Sequence, residues 1–376
     1  MAGIYIHIPF CKKACNYCVF HFSTKLDYQQ AMVDAICKEI NYRASEVDEP
    51  LASIYFGGGT PSLLTGAQLK QILITVQANF NIASDAEITL EANPDDMKNE
   101  GLENWFELGV NRLSVGIQSF SQAQLGWMNR AHTAEESLVC IEKAASIGFN
   151  SFSVDLIYGL PNLSNESWHN ELSQALDLGV NHLSTYCLTV EDKTALAKLV
   201  KTGKVMPLSD EKQSEQFLIL TNLLAEKGWD HYEISNSCTP GNYAKHNTAY
   251  WQRKTYLGIG PSAHSYNGKQ RKWNVANNQQ YMKRINNNEA TFEIENLSIA
   301  DQINEFILTG LRTKWGVSQE ILFSNWNYTI PIEEQKSINQ WCNDGLMLNN
   351  NNILTLTKEG RLYADQLASE LFVLNT

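Results

Sequence analysis

The sequence predicts an α/β fold built on a parallel sheet, and three observations carry that prediction. Short β-branched runs recur through the first half of the chain, longer stretches with helical spacing separate them, and several of those stretches end in glycine just before the next run. Strand–helix repeats with such short connections leave two arrangements, a barrel-like sheet or an open doubly wound one. Both put chemistry at the C-terminal ends of the strands.

The elements follow in order. GIYIHI (3–8) is the first strand. The segment MAGIYIHIPF has no basic leader and runs straight into cysteines, so it reads as a strand and not as a signal peptide. DYQQAMVDAICKEINYRA (27–44) is the first helix, because Met32, Ile36, Cys37, Ile40 and Ala44 recur every three or four residues. SIYF (53–56), EITLEA (87–92), RLSVGI (112–117), SFSVDLI (151–157) and HLSTYCL (182–188) supply five more strands. The helices between them are TGAQLKQILITVQANF, GLENWFELG, AEESLVCIEKAASIG and NESWHNELSQALDLG, and Gly109, Gly148 and Gly179 stop the last three. The rhythm ends near residue 190, which closes a first unit over 1–190. A second segment, 191–296, holds two helices joined by a Pro-containing turn and then an aromatic, Gly-rich stretch. A third, 297–376, reads as a helix, a turn, a shorter helix, a hairpin closed by an Asn run and a final helix, the layout of a small winged-helix module.

Composition narrows the function. The 376 residues are 43% hydrophobic, enough for a sizeable core, and the net charge of −12 argues against nucleic acid as a partner. No apolar run approaches the roughly 18 residues of a membrane span. Eight cysteines without a secretory leader read as cytoplasmic thiols, five of them scattered singly in apolar surroundings.

The other three are crowded. Cys11, Cys15 and Cys18 follow C-x3-C-x2-C. Three thiolates hold three corners of a [4Fe–4S] cube and leave one iron open, whereas a cluster that only stores electrons uses four. A structural zinc site completed by His21 is the competing reading. It is weakened by the position at the end of a first strand and by a core that needs no metal staple. YFGGGTPS follows the second strand; Gly57, Gly58 and Gly59 either admit a ligand to bare backbone or form a tight turn with Thr60 or Ser62 as N-cap. Glu91, Gln118, Arg130 and Asp155 stand at or just beyond later strand ends. The charged ones form either an internal ion-pair network at the rim or a polar lining, in which Glu91 and Asp155 accept hydrogen bonds, Gln118 orients polar atoms and Arg130 clasps a carboxylate.

C-x3-C-x2-C with an aromatic, Tyr17, before its last cysteine resembles the signature of the radical S-adenosylmethionine superfamily. The resemblance implies that the open iron takes the amino and carboxylate groups of S-adenosylmethionine, whose cleavage yields methionine and a 5′-deoxyadenosyl radical. The order Tyr5, cysteines, GGGTP, EANP, GIQSF, NRAH, DLIYGLP is similar to that of the oxygen-independent coproporphyrinogen III oxidase family over the whole chain. That implies an incomplete (βα)6 TIM-like barrel with a smaller, mainly helical winged-helix-like C-terminal domain. It also implies an S-adenosylmethionine site formed by Tyr5, Tyr17, Gly58, Gly59, Thr60, Glu91, Gln118, Arg130 and Asp155. Two features favour the heme-chaperone branch of that family over its oxidases: Phe20 stands where the oxidases carry a further cysteine, and no extension precedes the first strand. Val19 departs from the aspartate usual in that branch. HNTAYW (246–251) resembles a heme-handling motif of the branch, which makes His246 an axial ligand to heme, flanked by Tyr250, Trp251 and Tyr256, with His264 and His132 as competitors. His7 is expected on the inner face of the first strand and His21 beside the cluster. The resemblance thus implies a chaperone binding a [4Fe–4S] cluster, S-adenosylmethionine and heme as cargo. Its partners are membrane-associated heme-accepting proteins and an electron donor; dimerisation stays open. The alternative is the oxidative decarboxylase of coproporphyrinogen.

Overall fold

Twelve strands hydrogen-bond into one sheet in the computed structural model, which describes residues 1–374. Its centre is built from β1 (Ala2–Ile8), α1 (Gln29–Arg43), β2 (Leu51–Gly58), α2 (Gly66–Asn79), β3 (Ile82–Ala92), α3 (Asn99–Glu107) and β4 (Arg112–Gln118). The short α4 (Gln122–Trp127) precedes α5 (Ala134–Ile147), β5 (Phe152–Tyr158), α6 (Asn165–Asp177) and β6 (His182–Cys187). These six strands pair parallel and lie side by side in chain order. A doubly wound sheet reverses direction at a switch point. Here every crossover steps the same way, so right-handed connections stack the helices on one face and the sheet curls round the other. The partial barrel is therefore the arrangement adopted.

Alternation sorts each strand's side chains between these faces. Ile4, Ile6 and Ile8 are fully buried in a core that includes Met32, Ile36 and Ile40 of α1, while Tyr5 and His7 point into the barrel. Thr65 and Gln68 close α2 with a capping box, as Thr133 and Glu136 do for α5.

The segment after β6 adds to both edges of this sheet. It comprises α7 (Ala195–Lys201), α8 (Asp210–Glu226), β7 (Asp230–His231), β8 (Asn236–Cys238), α9 (Lys245–Trp251) and β9 (Tyr256–Ile259). β10 (His264–Tyr266), β11 (Gln270–Asn274), α10 (Asn278–Asn286) and β12 (Phe292–Asn296) follow. β8 runs antiparallel to β6, whereas β9 joins β1 in parallel and β10–β12 continue antiparallel beyond it. Residues 191–296 have no core of their own: Phe217, Leu220, Leu257 and Tyr281 belong to the same apolar cluster as Ile4 and Ile6.

A buried ion pair fastens one of these edges. Arg43 on α1 bonds Glu39 Oε1 at 3.0 Å, the Gly258 carbonyl at 2.9 Å and Ser265 Oγ at 3.0 Å. Glu39 in turn accepts from Gly260 N–H, Asn274 Nδ2 and Tyr281 OH. Every lone pair and proton facing the interior finds a partner, which is what lets charge sit where both side chains are at most 1% exposed.

The C-terminal module packs separately around Ile307, Leu322, Ile338 and Leu354. It runs α11 (Ile299–Leu311), β13 (Val317–Ser318), α12 (Gln319–Trp326), α13 (Ile332–Asn343), β14 (Met347–Asn350), β15 (Ile353–Leu356) and α14 (Ala364–Ser369), with a three-stranded sheet ordered β13-β15-β14. Asn351 and Asn352 form the two-residue hairpin turn with φ of 52° and 60°, left-handed conformations that asparagine tolerates. α13 is an element the sequence reading did not resolve.

Arg43→Leu is expected to lower the unfolding free energy by about 3–5 kcal/mol, because Glu39 is left charged and buried. The double variant Glu39→Leu/Arg43→Leu should lose less. Chemical denaturation of the three proteins decides, and an unchanged midpoint for Arg43→Leu refutes the assignment.

Candidate functional site

The C-terminal ends of β1–β6 converge on one cavity of about 490 Å³. Cys11, Cys15 and Cys18 line its wall on the loop that leaves β1. Its own far end, the residues after α4 and the turn after β3 hold that loop. Cys11 N–H donates to the Ser23 carbonyl at 3.0 Å, Asn16 N–H to the Met128 carbonyl at 3.2 Å, and Asn129 Nδ2 to the Ala14 carbonyl at 2.8 Å. Lys12 pairs with Asp95 at 2.5 Å and with Asp96, beyond β3. All three thiols are free, and burial pushes Cys11 up to about 11 and raises Cys18 as well. Cys11 and Cys18 therefore keep their protons near neutral pH until a metal displaces them.

Two polar groups face the sulfurs. Thr60 Oγ1 donates to Cys11 Sγ at 3.5 Å, and Arg130 Nη1 to Cys15 Sγ at 3.4 Å. Arg130 also donates to Asn93 Oδ1 at 2.6 Å and the Gly116 carbonyl at 2.7 Å, and its Nε has no partner. The guanidinium is thus spent on a sulfur and on two strand ends and makes no ion pair with Glu91 or Asp155. This excludes the internal ion-pair network as the reason for these charges.

The glycines answer to packing. A Cβ on Gly59 would stand 2.6 Å from the Phe10 carbonyl oxygen and 2.9 Å from that of Ile8, so this backbone must press against the start of the cysteine loop. Gly58 has φ of 111°, and a Cβ there would meet the His7 ring at 2.5 Å. The cap of the next helix is Thr65, and neither Thr60 nor Ser62 takes that role.

Opposite the thiols lie two carboxylates without cations. Glu91 accepts from Tyr55 OH at 2.8 Å and Gly58 N–H at 3.1 Å, and Asp155 from Ser114 Oγ at 3.4 Å. Burial, their mutual repulsion adding at Asp155, raises Glu91 from 4.5 to about 7 and Asp155 from 3.8 to about 7. Gln118 closes the ring from the end of β4, where φ of 69° marks a break in the strand register. Soft sulfur donors beside a guanidinium suit an iron–sulfur cluster, and cation-free carboxylates suit a ligand carrying positive charge. Among the described residues no three His, Cys, Asp or Glu side chains gather as they would round a single metal ion.

Of the residues singled out in sequence, Tyr17, Gly58, Gly59, Thr60, Glu91, Gln118, Arg130, Asp155 and the three cysteines all line this cavity. Tyr5 does not. It sits a layer deeper, its OH 3.1 Å from His7 Nδ1 and its ring stacked on Tyr55. Ser114, Tyr186, Leu188 and Thr189 line the cavity without having been singled out. Alternation along β4 points to Ser114, two residues before Gly116, and no residue type in β6 announces Tyr186. Nothing in the structure explains Val19, which is 57% exposed.

His246 needs correction. It does not face a heme-sized surface but plugs the N-terminal end of the barrel on α9. The Lys245 and His246 N–H groups donate to the Glu87 carboxylate at 2.9 and 3.0 Å. The ring shares hydrogen bonds with Ser53 Oγ at 2.8 Å and Tyr250 OH at 2.7 Å and stacks on Tyr55 at 4.9 Å. Only 2% exposed, with both nitrogens hydrogen-bonded within the barrel, it presents no nitrogen to the cavity. His132 is also buried, with Nε2 3.0 Å from the Ile117 carbonyl; His264 is exposed on β10 and does not line the cavity. His7 faces inward and is pushed down to about 4 by burial, and His21 bonds Asn278 Oδ1 at 2.7 Å.

Comparison with known proteins places this geometry. The pattern of the radical SAM superfamily matches residues 5–175. The chain is 32% identical to the heme chaperone HemW of Bacillus subtilis over 98% of both chains. It is 36% identical to HemW of Escherichia coli over 70% of this chain and 69% of that one. It is 30% identical to the mouse mitochondrial radical S-adenosyl methionine domain-containing protein 1, over 97% of this chain and 86% of that one. Among solved structures, coproporphyrinogen III oxidase (HemN) from Escherichia coli, a radical SAM enzyme, superposes with a TM-score of 0.86 at 24% identity, covering 99% of this chain and 90% of that one. That likeness establishes the fold.

Two outcomes follow. A carboxyl whose folded pKa is raised favours the folded state below its unfolded value and loses that contribution as pH climbs through the folded one. For Glu91 the window runs from 4.5 to about 7. Between pH 4.5 and 8 the unfolding free energy of Glu91→Gln should therefore gain on the parent by about 2 kcal/mol, water in the cavity trimming the full shift; a pH-independent difference refutes the assignment. His246→Ala should cost about 2–4 kcal/mol of stability, as a cavity and two unpaired hydroxyls replace the ring, yet leave hemin titration unchanged. Loss of the Soret shift in a folded His246→Ala protein would restore His246 as ligand.

Proposed function

The chain belongs to the radical SAM superfamily and, within it, to the family of the heme chaperone HemW, and from that membership we propose that it is a heme chaperone. In this reading Cys11, Cys15 and Cys18 hold a [4Fe–4S] cluster. Glu91 and Asp155 accept hydrogen bonds from the ammonium and ribose hydroxyls of S-adenosylmethionine, with Gly58, Gly59, Thr60, Tyr17 and Gln118 completing its walls. The cluster, when bound, supplies an iron with an open position and an electron for cleaving the sulfonium. The protein's part is to place that position across from two carboxylates that no cation of its own neutralises, and this juxtaposition is the observation that carries the reading. Arg130 keeps its charge against Cys15 and offsets the negative charge that ligated thiolates bring. Heme is the cargo, passed in the cytoplasm to heme-accepting proteins, and an electron donor serves the cluster. Among the described residues no helix is long and apolar enough to cross a membrane.

The decarboxylase reading has less support. Phe20, at the position of the oxidases' further cysteine, lines the cavity and is 68% exposed, but offers no donor to a metal or a substrate.

Anoxic reconstitution tests the proposal. The intact chain should take up iron and sulfide, bind S-adenosylmethionine, titrate hemin to a stoichiometric Soret shift, and show no decarboxylation of coproporphyrinogen. Cys15→Ser should lose the cluster and the S-adenosylmethionine affinity while retaining the fold. Vinyl-bearing product from coproporphyrinogen would transfer the chain to the oxidases, and absence of hemin binding would end the chaperone reading.

A further inference from the structure

A second cavity, of about 540 Å³, opens off the first. The two share Tyr186, Cys187 and Thr189, at the end of β6 and just beyond it. Its walls are α8, the turn between β7 and β8, the end of α11 and the segment from Arg361 to Gln366, so it runs between the barrel and the C-terminal module. A volume of this size lies within the range of small-molecule sites.

Its polar content is distinctive. Arg312 and Arg361 both line it. Arg312 bonds Asp365, which is 72% exposed, and approaches Glu233 at 3.6 Å, and its Nε has no partner. Arg361 is half-buried, and its backbone N–H donates to the Thr357 carbonyl. Among the described residues its side chain makes no hydrogen bond and no ion pair. Desolvation without a contact partner is costly for a guanidinium, and burial holds its pKa below the ordinary arginine value although Glu233 attracts it from beyond ion-pair distance. Two acidic side chains share the groove, Asp210 and Asp365, and the second is already paired with Arg312. Around these charges lie flat or apolar surfaces. Tyr186 is 44% and Tyr363 48% exposed, with Phe217 and Leu362 behind them.

We propose that this groove docks a propionate-bearing tetrapyrrole, with Arg361 taking one carboxylate in its planar fork, Arg312 taking the other, and Tyr186 and Tyr363 meeting the ring. Paired carboxylates on one edge of a wide apolar plane are the chemistry that an unpaired and a displaceable guanidinium beside two exposed aromatic faces recognise. A carboxylate buried against Arg312 replaces a partner, Asp365, that solvent already weakens. The site opens onto the cluster cavity along Cys187, so cargo and cofactor are held side by side on the two faces of the β6 end. This inference rests on the chaperone reading and gives it an address.

The test titrates the reconstituted full-length chain with hemin, with iron-free protoporphyrin IX and with protoporphyrin dimethyl ester, whose carboxylates are masked. Arg361→Gln should bind hemin and protoporphyrin about 10-fold to 100-fold more weakly, the range for losing one charge-assisted bidentate pair. It should bind the dimethyl ester as the parent does. Arg361→Lys, which keeps charge but not the fork, should fall between. S-adenosylmethionine affinity and melting temperature should not drop in Arg361→Gln, since the arginine side chain has no hydrogen bond or close ion pair to the protein to lose. Parental affinity for protoporphyrin in Arg361→Gln would overturn the site and leave the chaperone reading standing, as would equal loss of free acid and ester, which would mark a collapsed pocket. If the parent chain binds no tetrapyrrole at all, the reading and the site fall together.

Discussion

The open end of the barrel depends on one close contact, the backbone of Gly59 against that of Ile8–Phe10. Gly59 N–H donates to the Ile8 carbonyl at 2.9 Å, and there is no room for a Cβ between the two segments. This contact sets the height at which the cysteine loop leaves β1. The loop is then tied on its far side by Asn16 and Asn129 and in front by Lys12. A loop would ordinarily be the most mobile part of such a fold. Here it is clamped at three points, to the turn after β3 and to the residues that follow α4, so three thiols stand at fixed places above a floor the strands themselves provide.

That floor is energetically unfavourable until something binds. Glu91 and Asp155 repel one another, sit where burial disfavours their charge, and have only neutral donors. Arg130, the nearby guanidinium, is diverted to Cys15 and two strand ends. A fold optimised for its own stability would turn Arg130 onto the carboxylates. Keeping opposite charges apart leaves each free to meet a charge from outside, and a ligand that supplies it offsets the cost. The second cavity repeats the pattern with the sign reversed, since Arg361 lines it with no carboxylate in hydrogen-bond or ion-pair contact, Glu233 acting on it only at longer range.

Much of this was legible in the sequence, for a reason of topology. Because every crossover steps the same way, the C-terminal ends of all six strands meet at one mouth, and a residue placed just past a strand in sequence is thereby placed in the cavity. Glu91, Gln118 and Asp155 were found on that ground. Depth was not legible. Tyr5 and Glu91 both point into the barrel, yet one supports the lining and the other belongs to it, and periodicity reports a face without reporting a layer. Nor could the sequence show that Arg130 would be drawn to sulfur, because that depends on a loop more than a hundred residues away. The edge strands β7–β12 are two to five residues long, too short for a periodic signal, so the 191–296 segment read as an appendage when it is part of the sheet.

The same limit explains the HNTAYW stretch. Read as a surface motif, it invites a ligand to His246; placed in the fold, it is a short helix driven into the bottom of the barrel. His246 stacks on Tyr55, and Tyr55 donates its hydroxyl proton to Glu91 on the cavity floor. Tyr5 packs beside both rings, which brings three residues far apart in the chain into one aromatic layer. The plug therefore acts on the cavity from below, by fixing the ring that orients Glu91. A partial barrel of six strands cannot close on itself as a full one does, and an open lower end would admit water beneath the two carboxylates and relieve the burial that tunes them. Filling that end with interlocked aromatic and imidazole rings keeps the floor dry. The motif and the three cysteines are then two ends of one device: the upper end presents sulfur at the mouth, and the lower end keeps the carboxylates across from it in a medium of low polarity.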